Sequence, residues 1–177
     1  MNVPSREEAL ALLEKHKMPK HILAHSLAVE KIARFLAEKL REKGEAVNLE
    51  LVVAAALLHD IDKHKTFLTG NHGDEGERIL REEGFPEVGR LVAMHNLGRI
   101  LGKLNSLEEK IVWLSDKRVN HDKIVSLKER FAYLKKAYGE KSAEKMKAIA
   151  SCQAPAEKLE EEIFKKAGAD KSLSELK

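Results

Sequence analysis

Cysteine is almost absent from this 177-residue chain. The single thiol, Cys152, excludes a disulfide framework and a cysteine-rich zinc site, and it has no basic partner nearby in the sequence to make it a nucleophile. Aromatic residues are scarce at 5%, with one Trp and two Tyr, which weighs against a single-strand binder built on base stacking. Neither sign of charge prevails. The 32 Lys and Arg and 29 Asp and Glu leave a net charge of +3, too small to argue for nucleic acid, so no specific nucleic-acid partner is expected. The longest apolar run falls far short of the roughly 20 residues that cross a bilayer. The first residues lack the basic and apolar regions of a signal peptide. A cytoplasmic protein without membrane contact is the expectation. Strand patterns bounded by hairpin dipeptides are missing too.

What is present is helical periodicity. Ser5 with Glu8, Ser106 with Glu109 and Ser126 with Glu129 each have the spacing of a capping box. Pro19 suits the first turn of a second helix, which carries Val29, Ile32, Ala33, Leu36, Ala37 and Leu40 at core spacing up to Gly44. Asn48 can cap a third helix. The stretch after Asp60, residues 61–73, reads as a loop rich in turn formers. Pro155 predicts a kink or a break into two helices in the charged C-terminal segment. The expected fold is an all-α bundle of about seven to nine helices.

The third helix sets the chemical problem. Eight apolar residues, Leu51 to Leu58, run straight into His59 and Asp60. A helix with no polar face is buried on all sides, and a carboxylate at its buried end needs a compensating charge. His25 shares a face with Val29 and Ile32, His95 ends an apolar helix, and Asp116 sits between Val112 and Val119. His72 lies in a loop just before Gly73. Unpartnered buried ionisable groups are strongly disfavoured. One or two cations at the centre of the set would neutralise it. Imidazole with carboxylate suits Fe, Mn, Co, Ni or Zn better than Mg.

The order His25, His59-Asp60, Asp116 resembles the H…HD…D signature of the HD superfamily of metal-dependent phosphohydrolases. The matching segments are His25-Ser-Leu-Ala-Val, Leu57-Leu-His59-Asp60-Ile-Asp62-Lys63 and Leu114-Ser-Asp116-Lys-Arg-Val. The resemblance implies an HD-domain bundle: one domain over residues 1–177, with a core at about 18–138 and a helical extension at 140–177. Within the superfamily, His72-Gly73-Asp-Glu-Gly76, His95-Asn-Leu-Gly98-Arg99 and Lys110-Ile-Val-Trp-Leu-Ser-Asp116 are similar to segments of the bacterial diadenosine tetraphosphate hydrolases that cut symmetrically. Three positions depart from that branch. Asp62 stands where a small residue is usual, Asn96 replaces Thr, and Ser115 replaces Ala.

The resemblance implies that His25, His59, Asp60 and Asp116 bind a first divalent metal, with Asp60 bridging to a second held by His72 and His95. It implies a metal-activated water acting on a nucleotide or another small phosphate ester, with Asp60 catalytic. Lys63 follows the HDxxK pattern and is expected to grip phosphate and assist catalysis; Arg99 is a second candidate for binding phosphate. Asp62 is either a partner orienting a histidine or an exposed residue. His21 reads as a near neighbour of the site or as surface, and His16, His64 and His121 as surface. Trp113 and Phe67 read as core. Dinucleoside polyphosphates lead the substrate readings, with nucleoside 5′-monophosphates or cyclic nucleotides next. A non-catalytic HD-like binding module and a di-iron oxygenase on the same helices are the readings of other classes. The C-terminal helices either cap the bundle or pair two copies in a homodimer.

Overall fold

Local signals set most helix boundaries. All three capping boxes form in both directions, at Ser5 with Glu8, Ser106 with Glu109 and Ser126 with Glu129. Asn48 accepts from the Leu51 amide and so caps the central helix. A computed structural model describes residues 2–66, 72–102 and 104–176. The core assignment of Phe67 and the turn formers at 70 and 71 lie outside those residues. Among the described residues the fold is all-α. The helices are α1 (Arg6–Lys15), α2 (Lys20–Glu42), α3 (Leu49–Leu58), α4 (Lys63–Thr66), α5 (Asp74–Glu82), α6 (Pro86–Ala93), α7 (Leu107–Lys117), α8 (Leu127–Ala137) and α9 (Ala143–Ala167).

The apolar run of α3 lies at the centre. Val52 and every residue from Ala54 to Leu58 are fully buried. α1, α2, α6 and α7 surround it, as a helix without a polar face requires. Its C-terminus therefore delivers His59 and Asp60 into the interior. The helical pair α5–α6 packs beside it and brings in the loop that carries His72.

Three sequence expectations need correction. Residues 61–73 are not all loop, because α4 makes one helical turn there. The chain is not free of strands: β1 (Val119–Asn120) and β2 (Lys123–Ile124) pair as a short antiparallel ribbon. The ribbon is too short to show a strand period, and His121 at its turn adopts a left-handed φ of 56° without glycine. Pro155 does not split the C-terminal segment into two helices, since α9 runs through it. The proline removes one backbone donor, and the buried side chains of Cys152, Ala156 and Leu159 on either side hold the helix against the bundle.

α9 packs on α2, α7 and α8. A buried cation reinforces that seam. Arg118, with a side chain 2% exposed, reaches Glu160 Oε1 at 2.8 Å and donates to the carbonyls of Val125 and Lys171. Its guanidinium also lies 5.5 Å from the Phe164 ring centroid. Arg118→Ala should lower the unfolding free energy by about 3 kcal/mol, because Glu160 and two carbonyls lose their donor together. Urea denaturation followed by circular dichroism measures this. A change within the ~0.5 kcal/mol typical of surface positions would show that the bundle does not depend on this contact.

Candidate metal centre

Four histidines and two aspartates from five parts of the chain meet where α3 ends. His25 comes from α2, His59 and Asp60 from the end of α3, His72 from the loop before α5, His95 from just beyond α6, and Asp116 from the last turn of α7. All but His72 are buried; the His72 side chain is 27% exposed. Lys63 on α4 reaches Asp60 Oδ2 at 2.6 Å. Of the candidate site residues, only Arg99 stands apart. It pairs with exposed Asp74 at 3.3 Å and does not line the cavity beside Asp60.

Each imidazole is anchored through the same ring nitrogen. His59 Nδ1 faces the Ala56 carbonyl at 2.8 Å, and His95 Nδ1 faces that of Val92 at 2.5 Å. His25 Nδ1 faces the His121 carbonyl at 2.6 Å, and His72 Nδ1 faces Asp62 Oδ1 at 2.8 Å. Each partner is an acceptor, so each Nδ1 carries the proton and donates. In the neutral ring this leaves the Nε2 lone pair free to bind a cation.

Those four Nε2 atoms converge on Asp60. His59 and His25 lie 3.5 and 3.9 Å from its Oδ2, and His72 and His95 lie 3.1 and 3.8 Å from its Oδ1. Asp116 Oδ1 closes the first side, 3.1 Å from His25 Nε2 and 3.8 Å from His59 Nε2. Two groups of ligand atoms result, His25–His59–Asp60 and Asp60–His72–His95, with Asp60 common to both. His59 Nε2 and Asp60 Oδ1 are buried without a well-formed hydrogen bond among the described residues. Buried polar atoms are rarely left so. The donor set and these orphaned atoms fit one or two divalent ions.

The electrostatics keep the ligands in binding form. Burial pushes the Asp60 carboxyl up, but the protonated His72 and the Lys63 ammonium beside it outweigh that cost and hold it well below its ordinary range. Asp116 is likewise pushed up by burial and brought well below by Lys117 and His25. Burial lowers His59, and lowers His95 to about 3, so both rings stay neutral. His72 differs: burial disfavours its charge, yet hydrogen bonds to Asp60 and Asp62 raise it to about 9.

Sequence reasoning passed over several of these supports. Lys117 is 5% exposed and forms a short contact with Asp116 Oδ2. It also donates to the His95 carbonyl at 3.1 Å and lies 5.5 Å from the Trp113 ring centroid. Trp113 is core, as expected, and its indole N–H donates to the Asn96 carbonyl. Asn96 in turn donates to the His72 carbonyl. His121 is exposed, as expected, but its backbone carbonyl orients His25. His21 is exposed and lines the cavity with His25. His16 is not a free surface residue; its ring lies 2.9 Å from Glu83 Oε1. Asn96, standing after His95 where Thr is usual, was the available signal.

Asp62 proves to be the orienting partner. It is fully buried and accepts from His72 Nδ1–H and from the amides of Gly73 and Gly76. The loop requires both glycines. Gly73 has φ 89°, and a Cβ on Gly76 would lie 2.8 Å from Val92 Cγ1. With Asp60 and Asp116 ionised, the cluster's three carboxylates face Lys63, Lys117 and the His72 imidazolium.

Residues 22–120 match the HD domain family model. An uncharacterized protein of Methanocaldococcus jannaschii is 38% identical over 102 residues, which is 58% of this chain and 59% of that protein. A dihydroneopterin 2′,3′-cyclic phosphate phosphodiesterase of the same organism is 32% identical over 128 residues, 63% of this chain and 51% of that protein. A tRNA (cytidine(56)-2′-O)-methyltransferase of Picrophilus torridus is 29% identical over 141 residues, 72% of this chain and 40% of that protein. The chain thus spans between 40% and 59% of the length of these relatives. No solved structure matches significantly.

His72→Ala should remove the second equivalent of bound metal and spare the first, whereas Asp60→Ala should remove both. Elemental analysis of Mn²⁺- or Co²⁺-loaded protein reads this directly, and equal losses in the His72 variant would refute two distinct sites. Asp62→Asn should weaken the second ion by roughly 10–100-fold. The second ion must also displace the His72 proton, so its affinity should rise with pH up to the raised value of about 9 and level off above it. Calorimetric titration across that range tests the sign, and a flat profile would exclude proton competition at His72.

Proposed function

The chain belongs to the HD domain family of metal-dependent phosphohydrolases, and we propose from that premise that it hydrolyses a small cyclic or nucleotide-like phosphodiester at the Asp60 centre. The observation that carries the reading is the convergence of four imidazole Nε2 atoms on Asp60 at the edge of an open cavity. That cavity has a volume of about 470 Å³ and is lined by His25, Asp60 and Lys63 among others. Its size suits a nucleotide-sized ligand.

His25, His59, Asp60 and Asp116 would hold one ion, and Asp60, His72 and His95 a second. Divalent ions held there lower the pKa of water towards neutrality and polarise the phosphoryl oxygens. The protein's own groups supply the rest. Asp60 anchors both ion positions with a carboxylate that stays ionised. Burial disfavours the Lys63 ammonium, but Asp60 raises its pKa, so it remains charged. Its side chain is 46% exposed at the cavity and is free to neutralise a phosphate oxygen. Neutral His95 and His59 add no competing positive charge.

The relative with a named phosphate activity acts on a cyclic phosphate diester. That favours a diester over the diadenosine tetraphosphate reading, which none of these relatives supports. The test is a substrate panel with Mn²⁺-, Fe²⁺-, Co²⁺-, Ni²⁺- and Zn²⁺-loaded protein. The panel holds bis-p-nitrophenyl phosphate, 2′,3′-cyclic AMP, AMP and diadenosine tetraphosphate. Hydrolysis of the diesters is expected, abolished by Asp60→Ala and reduced roughly 100-fold in kcat by Lys63→Met. Cleavage of diadenosine tetraphosphate alone would restore the other branch. No hydrolysis of any member, with oxygen uptake by iron-loaded protein, would replace the reading with an oxygenase.

A further inference from the structure

Only two tyrosines occur in the chain, and both line the cavity that opens on Asp60. The Tyr133 and Tyr138 rings meet edge to face, with centroids 6.4 Å apart and planes at 81°. His121 extends the row, its centroid 5.4 Å from Tyr133 at 76°. Tyr138 is 47% exposed, one of two large hydrophobic side chains left so open among the described residues. Lys141 Nζ lies 5.3 Å from the Tyr138 ring centroid, and the ring also lines the cavity. Beside the row, Arg130 lies 5.6 Å from the Tyr133 centroid and is pinned by a hydrogen bond of 3.0 Å to Asn120 Oδ1. Its Nε–H is buried without a partner among the described residues. The cavity therefore has two chemically different ends, one with Asp60, His25 and Lys63, and one with two tyrosine rings and a guanidinium.

We propose that Tyr133, Tyr138 and Arg130 form a subsite for a planar heteroaromatic ring, so that the substrate is an aromatic-base phosphate ester rather than a simple sugar or alkyl phosphate. This deepens the phosphohydrolase reading and rests on the same cavity being the substrate site. Offset or edge-on packing against Tyr133 and Tyr138 holds the ring. The Arg130 guanidinium, which lines the same cavity, gives an acceptor on the ring or its ribose its partner. The short ribbon and α8 supply the subsite, so ring recognition is separate from the ligands on α2, α3 and α7.

Equilibrium binding of AMP and of ribose 5-phosphate to the Mn²⁺-loaded protein tests this, because the two probes differ only by the ring. AMP should bind roughly tenfold more tightly. Tyr133→Ala and Tyr138→Ala should each shrink that ratio towards one without weakening ribose 5-phosphate, while Tyr133→Phe should keep it. Tyr138 is exposed, so its variant reads the ring contact even where Tyr133→Ala perturbs folding. A wild-type ratio near one, no binding of either probe, or a ratio unchanged in both alanine variants would overturn the proposal. An intact AMP preference with no hydrolysis of any phosphate ester would overturn the enzymatic reading and leave the ring subsite standing.

Discussion

The charge on Asp60 has almost no access to water, and the bundle is arranged to make that tolerable. A carboxylate at the end of a buried apolar helix costs several kcal/mol unless it is compensated. Lys63 faces one of its oxygens, and four imidazoles surround both. Each of those rings is itself fixed by a second partner. Three of these are backbone carbonyls and one is Asp62. The centre is thus a two-layer construction in which the outer layer sets which nitrogen is available to the inner one.

The helices follow from that demand. α3 is apolar all round because it must be enclosed to carry Asp60 inward. α2, α6 and α7 enclose it, and each also bears or precedes one of the converging side chains. Packing and chemistry therefore use the same contacts, and a shift of any of these helices would misplace a ligand. α9 contributes no residue to the centre. It seals α7 and α8 from outside through Arg118 and Glu160, holding in place the helix with Asp116 and the helix with the tyrosines.

Two of the three departures from the branch motif, Asp62 and Asn96, have physical roles. Asp62, the extra negative charge after the His-Asp pair, is fully buried and binds His72 and the amides of Gly73 and Gly76. Asn96 ties the same loop to the segment after α6. Both act on the second ligand group, so the sequence differences concentrate where a second ion would be held.

The sequence by itself determined the helices and the inward faces. Capping boxes at Ser5, Ser106 and Ser126 act within four residues, and the apolar period of α2 and α7 assigns His25 and Asp116 to the core side. Adjacency alone put His59 and Asp60 at the end of a buried run. Only the tertiary structure decided which inward faces meet, that Asp60 is shared between two ligand groups, and that Asp62 turns towards His72. It also buried Lys117 and Arg118, which composition assigns to the surface, and drew both tyrosines to one wall. The reason is range. A helical period fixes the direction of a side chain relative to its own axis, whereas a site made from five segments depends on how those axes pack, and no local spacing encodes that.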